Sequence, residues 1–193
     1  MNKKTLALLF VIITLIACSP YAKLKKEDYT KALSPNLIKN GDFEIHQEKI
    51  GSTIPGWVFD ISLNGKVAID TTRSFTGKSS LRISQPIREI QLISEPFVTN
   101  FRNVYGVSIT AKSVLKKVPV LLHFITFSET GKIISKYKTV IEIDTNWKTF
   151  KYVSDHLQQN SEFGRIFLTI PQTDSVILFD NISCNVIDAY QKN

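Results

Sequence analysis

The 193-residue chain predicts an all-β fold, an antiparallel sandwich or barrel, over most of its length. From Pro35 onward, short runs rich in β-branched and aromatic residues are separated by turn residues roughly every 8–15 positions. No sustained helical period interrupts this pattern. Aromatic residues make up 10% of the chain, so one domain of this length has enough apolar surface for a real core.

The predicted strands follow one another along the whole of this segment. They are Leu37–Lys39, Phe43–His46, Trp57–Ile61, Val67–Asp70, Ser79–Ser84, Ile90–Val98, Tyr105–Ser113, Val120–Ser128, Ile133–Ile143, Trp147–Ser154, Phe163–Ile170 and Val176–Ile187. Turns are predicted where glycine or asparagine supplies backbone angles that other residues avoid. These turns are Asn40-Gly41, Pro55-Gly56, Asn64-Gly65, Thr76-Gly77 and Thr130-Gly131.

Alternation of residue types predicts which face of a strand is buried. In the strand near the C-terminal end of the domain, the side chains expected to face the core are Ile166, Leu168 and Ile170. The side chains expected to face outward in the same strand are Phe163, Arg165, Phe167 and Thr169. Polar groups beside an exposed aromatic ring are what a ligand-binding sheet surface needs, although an ordinary sheet also presents them by chance.

The first residues of the chain have the features of an export signal. Lys3 and Lys4 precede an apolar run that is too short to span a bilayer comfortably, because spanning takes about 20 residues. The run ends in Leu15-Ile16-Ala17-Cys18, which resembles the bacterial lipobox. The resemblance implies cleavage before Cys18, attachment of acyl chains such as palmitate to its thiol, and stable membrane anchoring. The alternative is a plain secretory signal with a coincidental cysteine.

The expected organisation follows from this signal. We expect a signal peptide over residues 1–17, a lipidated cysteine and tether over 18–34, and a β-sandwich domain over 35–193. Ser19, next to the cysteine, resembles the residue found in lipoproteins sorted to the outer membrane, so we expect a bacterial cell-envelope location. Cys184 is then the one cysteine left for the domain, and we expect no disulfide and a buried thiol there.

The charge of the chain excludes some partners. The formal net charge is +7, and loss of Lys3 and Lys4 leaves 22 basic against 17 acidic side chains. This mildly basic balance favours an acidic glycan or anionic headgroups, or it is simply a solvated surface. No cluster of basic residues with interleaved aromatics appears, so we expect no nucleic-acid partner.

Several segments together resemble the carbohydrate-binding modules of the CenC type, the family 4/9/22 group, which have a galactose-binding-like jelly roll. The matching segments span about residues 36–187. They are Asn36–Glu44, Pro55-Gly56-Trp57, Thr76–Ile83, Tyr105–Lys112, Trp147 and Phe179–Ser183. The resemblance implies an antiparallel jelly-roll sandwich in which Trp147 fills the core, while Trp57 either packs in the core or stacks on a ligand.

The resemblance also implies a set of ligand-binding positions. In glycan-binding relatives the groove is lined just after the Gly-Trp element, on a central strand and on the strand before the last. The matching positions are Val58, Asp60, Phe124, Arg165 and Thr169. With the outward Phe167, this predicts stacking by Phe124 and Phe167, and hydrogen bonds from Asp60, Arg165 and Thr169 to sugar hydroxyls.

Many relatives hold a structural calcium ion near the paired terminal strands. The residues that match its ligands are Glu44 and Asp180, with Asp42 and carbonyls near Gly77 and Lys78 as further oxygens. The alternative is that Asp180 caps a backbone turn and Glu44 is solvated. No other cofactor is expected.

The resulting functional prediction is a membrane-anchored lipoprotein that binds polysaccharide without catalysis. The alternative is an envelope lipoprotein whose sandwich docks another protein or is structural. An enzyme is not expected, because the sequence lacks the motifs Gly-x-Ser-x-Gly and His-Glu-x-x-His and a phosphate-binding loop. His46, His123 and His156 are scattered without metal-ligand spacing.

Overall fold

The computed structural model describes residues 32–45, 54–60 and 66–189. The predicted signal peptide, Cys18, the tether up to residue 31 and the predicted turn at Asn64-Gly65 lie outside the described residues. Within the described ranges the chain contains strands, turns and bends but no helix, so none of them holds a helix long and apolar enough to cross a membrane. The all-β prediction is confirmed.

Eleven strands are present in the described residues. They are β1 (Trp57–Val58), β2 (Val67–Asp70), β3 (Ser80–Ser84), β4 (Ile90–Ser94), β5 (Phe97–Val98), β6 (Asn103–Ser113), β7 (Val118–Phe127), β8 (Ile133–Ile143), β9 (Lys148–Val153), β10 (Phe163–Ile170) and β11 (Val176–Ala189). The predicted strand Ile90–Val98 is divided into β4 and β5 around Glu95 and Pro96, because proline has no N–H to give to a ladder.

The strands form two antiparallel sheets that pack face to face. The front sheet has the order β1-β4-β10-β7-β8, with β5 also paired to β10, and the back sheet has the order β2-β3-β11-β6-β9. The core lies between them, and the inward residues predicted for β10 are all fully buried: Ile166, Leu168 and Ile170. The inner face of β6 is also buried, and Cys184 is a free, fully buried cysteine whose pKa is raised by burial.

The segment before Trp57 differs from the sequence prediction. The predicted strands Leu37–Lys39 and Phe43–His46 are not strands as far as the structure describes them, which is up to residue 45, and residues 38–42 form a bend and turns. The segment runs along the edge of β11, where Leu37 N donates to Cys184 O at 2.8 Å. Asn40 has a positive φ of 50°, as the predicted Asn40-Gly41 turn requires. A side chain at Gly41 would collide with the carbonyl oxygen of Ile182, so glycine is needed where this segment crosses β11.

Trp147 does not fill the core. Its ring is partly exposed at the start of β9, where it contacts the exposed Phe75 with ring centroids 5.9 Å apart. The Lys112 ammonium lies 5.7 Å from the centroid of the Trp147 ring. Lys112 lies on β6 between two buried residues, Ala111 and Ser113, and its contact with the ring places Trp147 on the outer face of the back sheet.

Candidate functional site

Directly paired residues in an antiparallel sheet point to the same face. The side chains on the outer face of the front sheet therefore lie in rows that cross its strands. The central row crosses four strands: Ile93 on β4 pairs with Phe167 on β10, Phe167 pairs with His123 on β7, and His123 pairs with Lys138 on β8. Val58 on β1 extends this row beyond Ile93.

The next two rows, toward the β7–β8 turn, add a cation on each side of β7 and a pair of aromatic rings. In one row Arg165 and Lys136 flank Ile125. In the next, Phe163 lies opposite Phe127. The front face therefore combines exposed ring edges with positive charge.

Two adjoining depressions cross this face. The first has a volume of about 490 Å³, and its lining residues are Ile93, Pro96, Phe127, Ser128, Glu129, Gly131, Phe163, Arg165 and Phe167. The second has a volume of about 450 Å³, and its lining residues are Val58, Phe59, Asp60, Arg88, Glu89, Gln91 and Ile93. Since Ile93 lines both, the depressions adjoin, and together they extend across the front sheet from the β7–β8 turn to the segment after β1. We call the two depressions together the front groove.

The polar groups of the front groove differ in how they are engaged. Asp60 accepts a hydrogen bond from Arg88 Nη2 at 3.0 Å, and both side chains are well exposed. Arg165 makes no hydrogen bond or ion pair with any residue that the structure describes. Its guanidinium carries five N–H donors in a planar fork, and the half-buried side chain lines the first depression.

Four of the positions predicted for ligand binding line the front groove. Arg165 and Phe167 line the first depression, and Val58 and Asp60 line the second. Thr169 lies on the same face of β10, one row away from Phe167, but it is only 9% exposed. Its hydroxyl lies 3.5 Å from Gln91 Nε2, so it is placed at the floor of the face rather than in the open depression.

The other two aromatic residues predicted for the site lie inside the protein. Phe124 is fully buried and packs against Phe97, Tyr105 and Tyr137, with ring centroids 5.7–6.0 Å away. It belongs to the core and offers no ring face to a ligand on the surface, which corrects the predicted stacking role.

Trp57 has a similar position, and of its two predicted roles the structure supports core packing. Its ring is buried and lies 5.6 Å from that of Phe43. Its indole N–H donates to Asn40 O at 3.2 Å. A buried ring whose single donor is already used has nothing to present to a sugar.

Sequence reasoning missed several residues of the front face. Phe127, Ile93, His123 and the two lysines of β8 were not proposed. The strands β4 and β7 are apolar on both faces, so alternation does not show which side chains point outward. Phe163 differs from these residues, because the alternation in β10 already predicts that it faces outward.

Glu44 is occupied as a backbone acceptor at the predicted metal position. Its Oε1 accepts hydrogen bonds from Lys78 N at 2.8 Å and Ser79 N at 2.9 Å. Gly77, with φ of 61°, lies directly under this carboxylate. The left-handed glycine thus lets the loop between β2 and β3 close around Glu44.

Asp180 is fully buried and accepts hydrogen bonds from backbone N–H groups of the same loop. Its Oδ2 accepts from Phe75 N and Thr76 N at 2.8 and 3.0 Å, and its Oδ1 accepts from Asn181 N at 2.7 Å. Burial raises the pKa of this carboxyl against the lowering effect of the three donors, and the nearby Glu44 charge raises it further.

These contacts define what the pair of carboxylates can do. Calcium takes six to eight oxygen ligands, whereas the oxygens of Glu44 and Asp180 already accept five backbone N–H groups. Among the described residues, no group of three carboxyl, imidazole or thiol side chains is placed to hold a metal ion. Both carboxylates are accounted for as caps of the loop, and calcium at this position stays a prediction.

The antiparallel two-sheet sandwich of this chain is a fold that carbohydrate-binding modules share. Solved structures of such modules are similar to this chain. A family 16 carbohydrate-binding module has a TM-score of 0.57 and 13% identity, covering 77% of this chain and 99% of that chain. A family 61 module, TmCBM61, solved in complex with β-1,4-galactotriose, has a TM-score of 0.55 and 15% identity, covering 79% and 99%.

The same fold also occurs as part of larger proteins. The enzymatically active domain of tailspike protein 4 from bacteriophage CBA120 has a TM-score of 0.60 and 13% identity, and the match covers 79% of this chain but 21% of that chain. At these identities the similarity shows the fold. No protein-family model matches the sequence, and no curated protein matches it.

Proposed function

We propose that this protein is a non-catalytic polysaccharide-binding protein whose ligand lies in the front groove. The observation that carries the proposal is the guanidinium of Arg165, which has no partner among the described residues, beside the rings of Phe163 and Phe167. All three side chains line one depression on an open sheet face. Binding modules of the same fold support it, among them the module solved with β-1,4-galactotriose.

The chemistry of a sugar chain fits this arrangement. Sugars have apolar C–H faces, which favour contact with aromatic rings, and a rim of hydroxyls, which accept and donate hydrogen bonds. In the front groove the rings of Phe127, Phe163 and Phe167 supply the apolar contact and Arg165 supplies the donors. Asp60, at the other end of the front groove, supplies acceptor oxygens. Two adjoining depressions of about 490 and 450 Å³ offer room for more than one sugar unit.

The test is retention of the full chain, purified in a non-ionic detergent, during electrophoresis through gels that contain galactan, xylan, mannan or alginate. We expect at least one polysaccharide to retard the protein, and we expect Arg165→Ala and Phe167→Ala each to abolish most of that retardation. The reason is that each substitution removes one of the two kinds of contact, donors or ring surface, on which recognition depends.

The matched control removes the same residue types elsewhere. Arg102 and Phe101 form an exposed cation–π pair, with the guanidinium carbon 5.5 Å from the ring centroid, and neither lines the front groove. Arg102→Ala and Phe101→Ala should leave retardation unchanged. If no polysaccharide retards the protein while crosslinking recovers one stoichiometric envelope protein, the docking function replaces the proposal.

We further propose that the domain is held on a bacterial membrane by acyl chains on Cys18. The support is the sequence Leu15-Ile16-Ala17-Cys18 that ends the apolar run. We expect the full chain to partition into the detergent phase of a temperature-induced phase separation, and Cys18→Ala to move it to the aqueous phase. Detergent partition that persists in the variant would contradict the lipid anchor.

A further inference from the structure

Three cations lie on the front face without an acidic partner in the part of the chain that the structure describes. Arg165 on β10 and Lys136 on β8 flank Ile125 in one row, and Lys138 lies in the next row beside His123. The ion pairs of the described residues include none of these three cations; their basic members are Lys39, Arg73, Arg88, Lys116 and Lys117. Since adjacent strands are about 4.8 Å apart, the backbones that carry Arg165 and Lys136 are about 10 Å apart.

Acidic side chains near this cluster do not neutralise it. Glu129, in the turn between β7 and β8, lines the first depression but makes no ion pair within the described residues. Asp60 at the far end of the groove is engaged by Arg88. Glu142 lies on β8 opposite Pro119, two rows beyond Lys138. Glu89 also lines the second depression. Within the two rows that carry the three cations, none of the paired positions holds an acidic side chain.

His123 adds an independent sign of a missing partner. It lies between Phe167 and Lys138 in the central row and is only 8% exposed. Its Nε2 is buried and has no hydrogen-bond partner among the described residues. Buried polar atoms in native proteins are normally hydrogen-bonded. Burial, together with the charges of Lys136 and Lys138, lowers the pKa of this imidazole, so it is neutral at pH 7.

We propose that the ligand of the front groove is an anionic polysaccharide that extends over β8 beside the groove. Its carboxylate or sulfate groups bind Arg165, which lines the first depression, and Lys136 and Lys138 on the same sheet face. This inference rests on the proposed function and specifies the class of its ligand. Guanidinium and ammonium groups bind such oxygens with charge-assisted hydrogen bonds. The anionic groups would also relieve the mutual repulsion of the three cations, which a neutral sugar chain cannot do.

The test compares anionic and neutral polysaccharides on the full chain in non-ionic detergent. The probes are alginate, polygalacturonate and chondroitin sulfate against galactan and xylan. We expect an anionic polysaccharide to be preferred by about ten-fold or more at low salt, and the preference to fall as ionic strength rises, because salt screens exposed charges. The double variant Lys136→Gln/Lys138→Gln should lose about five-fold or more of the affinity for the anionic probe.

The control removes two charges from the other sheet. Lys148 and Lys151 are exposed on β9, and Lys148→Gln/Lys151→Gln lowers the net charge equally. We expect it to keep the affinity for the anionic probe. An equal loss in both double variants would mean non-specific attraction and overturn the inference.

The two proposals can fail separately. If galactan or xylan binds as tightly as the anionic probes, and binding is insensitive to salt and to the β8 lysines, the anionic class is wrong while polysaccharide binding stands. If the chain retains neither class of polysaccharide, the proposed function itself fails.

Discussion

Phe124→Ala is expected to lower the free energy of unfolding by about 3–5 kcal/mol, the range typical for removing a large buried aromatic side chain. Phe124 is fully buried and contacts Phe97, Tyr105 and Tyr137 from three sides. The substitution leaves a cavity between the two sheets that these neighbouring rings fill only in part. Chemical denaturation monitored by fluorescence measures the loss.

The control for this prediction is an exposed phenylalanine. Phe101 is 39% exposed in the turn before β6, and Phe101→Ala should change the free energy of unfolding by less than about 1 kcal/mol. A stability loss at Phe124 no larger than that at Phe101 would contradict the assignment to the core.

A milder variant separates a core role from a binding role. Phe124→Leu keeps an apolar side chain in the core, so the domain should remain folded at a modest cost. Because Phe124 is not part of the front groove, Phe124→Leu should retain polysaccharide as the unmodified protein does. If this variant folds but loses retention selectively, the predicted stacking role of Phe124 is restored.

Asp70→Asn is expected to lower the free energy of unfolding by about 2 kcal/mol at pH 7, with an effect that disappears in acid. Although burial raises the pKa of the Asp70 carboxyl, hydrogen bonds from the Thr72 hydroxyl and backbone and from the Arg73 side chain outweigh it. Together with the Arg73 charge, they lower this pKa from 3.8 to about 2. Each pKa unit corresponds to about 1.4 kcal/mol, and Arg73 Nη2 lies 2.8 Å from Asp70 Oδ2.

The direction of the pH dependence follows from the lowered pKa. The ionised carboxylate stabilises the folded state fully above the unfolded pKa of 3.8, and this stabilisation is lost as the pH falls toward about 2. The difference between the unmodified protein and Asp70→Asn should therefore be largest near neutral pH and shrink between about pH 4 and pH 2.

An exposed carboxylate provides the comparison. Asp174 forms a 2.6 Å ion pair with Lys116 while both side chains are largely exposed, and exposed ion pairs contribute little to stability. Asp174→Asn should show little change at either pH. A difference at Asp70 that is independent of pH would show that its carboxylate charge is not what stabilises the corner after β2.

The strand prediction succeeded where the sequence itself alternates. In β10 the aliphatic side chains Ile166, Leu168 and Ile170 are buried, and Arg165 and Phe167 reach the open face, as the period of two requires. The failures occurred where both faces are apolar. In β7 the sequence Leu122-His123-Phe124-Ile125 does not distinguish inward from outward, and the predicted stacking residue was the one that faces the core.

The two tryptophans also show that local sequence does not determine whether a side chain is buried. Trp57 is held in the interior by its hydrogen bond to Asn40 O, which a turn 17 residues earlier supplies. Trp147 was expected in the core but contacts Phe75 on the outer face of the back sheet. Neither outcome can be worked out locally, because each depends on a segment distant in the chain.

The amino-acid order alone determined the strand content, the turn at Asn40-Gly41 and the outward side of β10, since these depend on neighbours within a few residues. Only the packed structure decided that β8 brings Lys136 and Lys138 to the face that Arg165 shares across β7, and that Arg165 has no acidic partner among the described residues. The physical reason is that pairing register and sheet stacking join residues far apart in sequence, and the burial and charge of a side chain are set by those distant neighbours.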